Sequence, residues 1–191
     1  MSAAQAGDRG ALDQLLRRHY DRMHAVCRRI TGNDADAADA AQEAMIAVVR
    51  GLERFDGRSA FGTWVYRIAT NASLDELRRR RRRPQLAGRD RDRDHTSEPV
   101  DVDSELRIAH LADRFELDAA LADLPEDFRV PVVLRDVADL DYAEIAEVLN
   151  VPIGTVKSRI ARGRAQVAAT ISRGNGNQHP NADRPTPGNP T

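Results

Sequence analysis

Residues 145–160, IAEVLNVPIGTVKSRI, leave the backbone little choice. Ile145, Ala146 and Leu149 repeat at helical spacing. Asn150 and Val151 then interrupt the pattern, and Pro152 suits the first turn of a new helix, where its missing N–H costs nothing. Val156 and Ile160 anchor that second helix, while Ala146 is small where the two must approach closely. An amphipathic hairpin needs only apolar spacing. The fixed order of small, turn and apolar residues across 140–167 is that of a helix-turn-helix. The outward positions of its second helix are Thr155, Lys157, Ser158, Arg159, Ala161, Arg162 and Arg164. From Pro152 to Arg173 there are five basic residues and no acidic one; from Glu116 to Glu147 there are ten acidic and two basic. A helix that enters the major groove needs this separation of charge.

The rest of the chain also reads as helical, with no segment that alternates at period two. Leu12, Leu16, His19, Met23, Val26, Cys27 and Ile30 form one stripe, with Gly32 as a left-handed C-cap and Asn33 and Asp34 as the next N-cap. Ala37, Ala41, Met45, Val48 and Leu52 form a second stripe. Trp64, Val65, Ile68, Ala69 and Ala72 mark a third helix, which Pro84 ends or follows. Phe61 and Trp64 are expected at a core corner, and Tyr66 is harder to place inside. Arg67, Asn71, Asp75 and Arg78 share one face of this helix at steps of four, four and three, and Thr63 extends it. Six arginines, Arg78 to Arg83, close it.

The expected fold class is all-α, with two small helical domains. The first spans 10–83 and the second 105–172, with a helix resuming near Glu105 that carries Leu111, Phe115, Leu117, Leu121 and Leu124. Alternating Arg and Asp, two prolines and few apolar residues make 84–104 a flexible linker, and 173–191 is a low-complexity, disordered tail.

Net charge is −1, with 29 basic and 30 acidic residues, which argues against a wholly basic DNA-coating protein. The total hides an uneven distribution: residues 1–83 hold 16 basic and 11 acidic side chains, and 84–113 hold 4 and 8. Cys27 stands alone, so there is neither an internal disulfide nor a cysteine cluster for zinc. His24 and Cys27 at i and i+3 are too few to close a metal site. No nucleophile–base constellation and no phosphate-binding glycine loop point to an enzyme. No apolar run has the length of a membrane span, and the polar N-terminus is not a signal peptide. A cytoplasmic location is expected.

Three stretches together resemble a known family. DAADAAQEAMIAVVRGLERF resembles the polymerase-binding helix of bacterial RNA polymerase sigma factors of the extracytoplasmic-function (ECF) group. FGTWVYRIATNASLDELRR resembles their minus-ten recognition helix. LADLPEDFRVPVVLRDVADLDYAEIAEVLNVPIGTVKSRIARGRAQV resembles their minus-35 module. The likeness covers about 10–83 and 110–170, with linker and tail unmatched. It implies a transcription initiation factor, not an enzyme, that binds core polymerase, reads promoter DNA and melts the minus-ten element. Asp39, Gln42 and Glu43 would meet polymerase. Thr63, Arg67, Asn71 and Arg78 would line the single-stranded minus-ten site. Lys157, Ser158 and Arg162 would face minus-35 base edges beside Thr155, with Arg159 and Arg164 nearer phosphates. Ala161 stands where relatives often carry a bulkier side chain.

The resemblance also implies an anti-sigma factor as partner and a role in stress response, without cofactor or metal. The arginine run extends the DNA-facing helix, with promoter phosphate as its expected partner. The competing reading is a helix-turn-helix regulator acting without polymerase, which would need a dimer. The chain has no sustained heptad and reads as a monomer.

Overall fold

The structure, a computed structural model, describes residues 1–82 and 114–176. Their regular secondary structure is helical, α-helices and one 3-10 turn at Leu52–Arg54. The proposed linker 84–104 and most of the tail lie outside the described residues.

The N-terminal module packs α2 (Arg9–Thr31), α3 (Asp34–Gly51) and α4 (Phe61–Arg82) against one another. A short α1 (Ser2–Gln5) leads in, and Gln5 Nε2 donates to the carbonyls of Leu52 and Phe55 at 3.1 and 2.8 Å. Asp8 caps α2 by accepting from the N–H groups of Gly10 and Ala11. Gly32 ends it in the left-handed region, φ 79°, its N–H bonded to Arg28 O. Asn33 then accepts from Asp36 N at 2.8 Å, a cap worth about 1 kcal/mol. Helix α3 buries Ala37, Ala40, Ala41, Ala44 and Val48, and its small side chains allow α2 and α4 to close on it.

The second module consists of α5 (114–122), α6 (Glu126–Asp136), α7 (Tyr142–Leu149) and α8 (Ile153–Gly176). Helix α7 starts in a reciprocal capping box between Asp141 and Glu144 and ends at Asn150 in the left-handed region, φ 52°. This is the turn that the sequence indicates. Pro152 sits just ahead of α8, and its carbonyl accepts from Thr155 N and Val156 N. Helix α8 continues to Gly176, past the expected start of the tail at 173. Val130, Val133, Leu134, Ile145, Val156 and Ile160 are buried.

Two expectations change. Tyr66 is buried, its exposure only 5%, and its ring packs beside Gly62. Phe115 and Leu117, which the sequence places on a packing stripe, are exposed. The two modules are the two helical domains that the sequence indicates, and they pack on each other through one cluster of buried apolar residues running from Met23 and Val26 through Val65 to Leu134 and Ile145. Helix α2 packs on α6, and α4 on α7.

Candidate nucleic-acid and polymerase interfaces

Helix α8 presents the expected basic face. Lys157, Ser158, Ala161 and Arg162 are exposed, and Thr155 is half-buried at the rim. Arg162 has no partner among the described residues. Lys157 Nζ lies 5.7 Å from the centre of the Tyr142 ring, which Arg135 also flanks at 5.3 Å. The Ser158 hydroxyl donates to Thr155 O at 2.9 Å, leaving its lone pairs outward.

Two other cations of this helix are already partnered. Arg159 pairs with Asp127 at 3.0 Å, and Arg164 pairs with Asp136 in a two-armed contact. Hydrogen bonding to Asp136 raises the Arg164 pKa, against slight desolvation. Both carboxylates come from α6. No local spacing in the sequence reveals pairs that depend on how α8 crosses α6.

On α4, Arg67, Asn71, Asp75 and Arg78 are all exposed and form the expected strip. Arg67 and Asn71 have no side-chain partner among the described residues, whereas Arg78 bonds Asp75 at 2.6 Å. Thr63 does not continue the strip. It is buried, and its hydroxyl donates to Glu144 Oε1 of the second module at 2.6 Å. Next to the strip, Phe55, Phe61 and Trp64 meet with centroids 5.0 to 5.6 Å apart. His19 stands edge-on to Phe61 at 5.1 Å. This is the expected aromatic corner, and it supports the exposed 56–58 turn.

Four arginines of the run, Arg78 to Arg81, are held by carboxylates. Beyond Arg78, Arg79 pairs with Glu43 at 2.5 Å and Glu76 at 3.1 Å, Arg80 with Asp36 at 3.1 Å, and Arg81 with Glu126 at 2.6 Å. The sequence-based expectation of phosphate as partner overlooked these acids, which lie on α3 and α6, and Glu76 on α4 itself. Arg83 lies outside the described residues.

Asp39, Gln42 and Glu43 are exposed on α3, and Ile46 and Val49 continue the same side of that helix as exposed apolar residues. The Arg79 hydrogen bond holds the Glu43 carboxyl below its ordinary pKa, against slight desolvation. Residues 24 and 27 form no metal site: Cys27 is fully buried, and His24 stacks on Tyr20. No helix among the described residues is long and apolar enough to cross a membrane.

A helix-turn-helix with an exposed basic face, joined to a bundle with a second polar strip, defines a two-module nucleic-acid-binding protein. The family described as Sigma-70 region 2 matches residues 15–83, and Sigma-70, region 4 matches 114–167. The ECF RNA polymerase sigma factor SigE of Mycolicibacterium smegmatis is 41% identical over 175 residues, covering 87% of this chain and 65% of that one. SigM of Mycobacterium tuberculosis is 39% identical, covering 90% and 82%, and SigW of Bacillus subtilis is 34% identical, covering 83% and 87%. Among solved structures, CnrH in complex with the cytosolic domain of CnrY shares the fold, with TM-score 0.64 and 24% identity over 90% of this chain and 94% of that chain. The sigma factor RpoE in complex with the anti-sigma factor NepR, from Bartonella quintana, gives TM-score 0.65 and 19% identity over 85% and 97%. The chain belongs to the ECF sigma factors of the sigma-70 family. It is a promoter-directing transcription initiation factor rather than an enzyme, acting with core RNA polymerase and promoter DNA.

Proposed function

We propose that the two exposed polar faces divide promoter reading between them. The strip Arg67–Asn71–Arg78 takes a flipped base of the melted minus-ten strand. The face Lys157–Ser158–Arg162, with Thr155 at its rim, reads minus-35 base edges in the duplex. Asp39, Gln42 and Glu43 dock on core polymerase, and Ile46 and Val49 add apolar area beside them. The observation that carries this reading is the unsatisfied chemistry of Asn71, Arg67 and Arg162. Each is exposed and unpaired, whereas Arg78 to Arg81 of α4 and Arg159 and Arg164 of α8 are held by carboxylates. Asn and Arg present the donors and acceptors that base edges require. The factor works in the cytoplasm as a monomer, under an anti-sigma factor, as the structural relative RpoE is bound by the anti-sigma factor NepR.

Reconstituted holoenzyme tests the division. Asn71→Ala should keep the upstream footprint and lose permanganate reactivity of melted thymines. Arg162→Ala should weaken the minus-35 contact by ~1–3 kcal/mol, relax preference at one position, and be partly rescued by a pre-melted bubble. Wild-type behaviour of both variants would refute the assignment.

A further inference from the structure

The cations on the minus-35 side of α8 are held in different ways. Arg159 and Arg164 are held by Asp127 and Asp136 of α6. A carboxylate fixes a guanidinium but also neutralises it, and DNA must then displace the acid. Lys157 is exposed and has no carboxylate partner among the described residues. Its ammonium lies instead over the Tyr142 ring, 5.7 Å from the centroid.

Three helices bring that contact about. Tyr142 is the first residue of α7, and the capping box between Asp141 and Glu144 fixes where α7 begins. The ring is half-buried and packs against the core. Arg135, in the last turn of α6, donates through Nη1 to Leu140 O at 2.7 Å and lies 5.3 Å from the same ring centroid. Ring and guanidinium are therefore both tied to the segment that leads into α7. Lys157 comes from the second turn of α8 and meets the ring where α7 packs on α8.

This contact differs physically from an ion pair. The face of an aromatic ring attracts an ammonium without supplying a counter-charge. The lysine stem is flexible and has many rotamers to lose when its head is fixed on a ligand. A ring contact removes part of that freedom before DNA arrives. It leaves the whole positive charge for the DNA, and Arg135 adds a second positive charge beside it. The other members of the face have no such support. The Ser158 hydroxyl bonds its own helix, and Arg162 has no partner among the described residues.

We propose that Tyr142 is a positioning residue for minus-35 recognition, its ring orienting the Lys157 ammonium toward the duplex with the charge uncompensated. This role rests on the assignment of the α8 face to the minus-35 element. Acting through Lys157, the ring sets both affinity and the preference at the base pair that Lys157 meets.

Reconstituted holoenzyme and a panel of promoters, each changed at one minus-35 base pair, test this. Tyr142→Leu keeps an apolar side chain suited to a helix and removes the ring. It should weaken promoter binding about two- to fivefold, the strength of an exposed cation–π contact. It should also relax preference at the base pair that Lys157→Ala relaxes. Tyr142→Phe keeps the ring and should retain most of the affinity that the leucine variant loses. In a Lys157→Ala background Tyr142→Leu should cost nothing further, since the ring then has no ammonium to orient. Thermal unfolding of each full-length variant checks the fold, and Tyr142→Met, whose side chain adapts to irregular gaps, repeats the test if the leucine variant unfolds. Three results overturn the proposal: equal losses in the two Lys157 backgrounds, a loss in Tyr142→Phe as large as in Tyr142→Leu, or wild-type binding by Tyr142→Leu. A defect in Lys157→Ala beside a neutral Tyr142→Leu removes the role of the ring and leaves the assignment of the α8 face standing. Wild-type binding by Lys157→Ala removes Lys157 from that face, and the role of the ring with it.

Discussion

Gly163→Ala sets two effects against each other, and the structure decides the sign. Position 163 lies in the interior of α8, where alanine improves on glycine by about 1 kcal/mol from helix propensity alone. Helix α8 crosses α6 at this point. An added Cβ would lie 2.7 Å from Val132 Cγ2, 3.2 Å from the Phe128 carbonyl oxygen and 3.4 Å from Phe128 Cβ. Val132 is buried and, being β-branched in a helix, has essentially one rotamer. The carbonyl is main chain. Neither can swing aside, so α8 must move outward, and overpacking of this kind costs ~1–3 kcal/mol. The net expectation is a loss of about 1 kcal/mol, or ~4–8 °C in the melting temperature of a module this size. Thermal and urea unfolding would read it. Minus-35 duplex affinity should fall because α8 carries that face, while binding of the minus-ten strand should not change. A rise of several degrees would show that propensity prevails, and that α6 and α8 approach less closely than described.

Other perturbations probe the two modules separately. Burial lowers the His19 pKa below its ordinary 6.5, assisted by Arg18 and Arg22. The unfolded chain therefore takes up the proton first, and first-module stability should decline as pH falls through 6.5 toward the folded value. His19→Phe should flatten that decline in an acid titration followed by circular dichroism, and an unchanged slope would exclude His19 as its source. Asp136→Asn releases Arg164 from an exposed pair, which should change stability by less than about 1 kcal/mol. If the freed guanidinium gains a phosphate, the log–log salt slope of duplex binding should steepen by ~0.9; an identical slope would show that Arg164 remains away from DNA.

What the sequence made legible was local. Gly32, Asn33 and Asn150 adopt the cap and turn conformations their chemistry demands, since each is set by neighbours within four residues. The exposed strip on α4 and the basic face on α8 follow from helical spacing alone. What stayed hidden was tertiary. Thr63 is polar and correctly spaced for the strip, yet it is turned toward Glu144, 81 residues away. Arg159 and Arg164 look like free cations until α6 brings Asp127 and Asp136 beside them. One Glu144 oxygen completes the capping box of α7. The second oxygen, which meets the other module, has no signature in the local sequence.

The carboxylates around the arginine run affect more than local charge balance. An unpaired arginine samples many rotamers, and fixing one such side chain on a ligand typically forfeits ~0.5–1.5 kcal/mol of entropy. Arg78 to Arg81 are already fixed, each by a carboxylate in solvent-accessible surroundings. A phosphate that arrives there exchanges one anionic oxygen for another and orders little that was free. The row then resembles a set of poised relay contacts more than a flexible cationic brush. Its selectivity among polyanions would follow from the spacing of their charges, which a brush of equal charge would not distinguish.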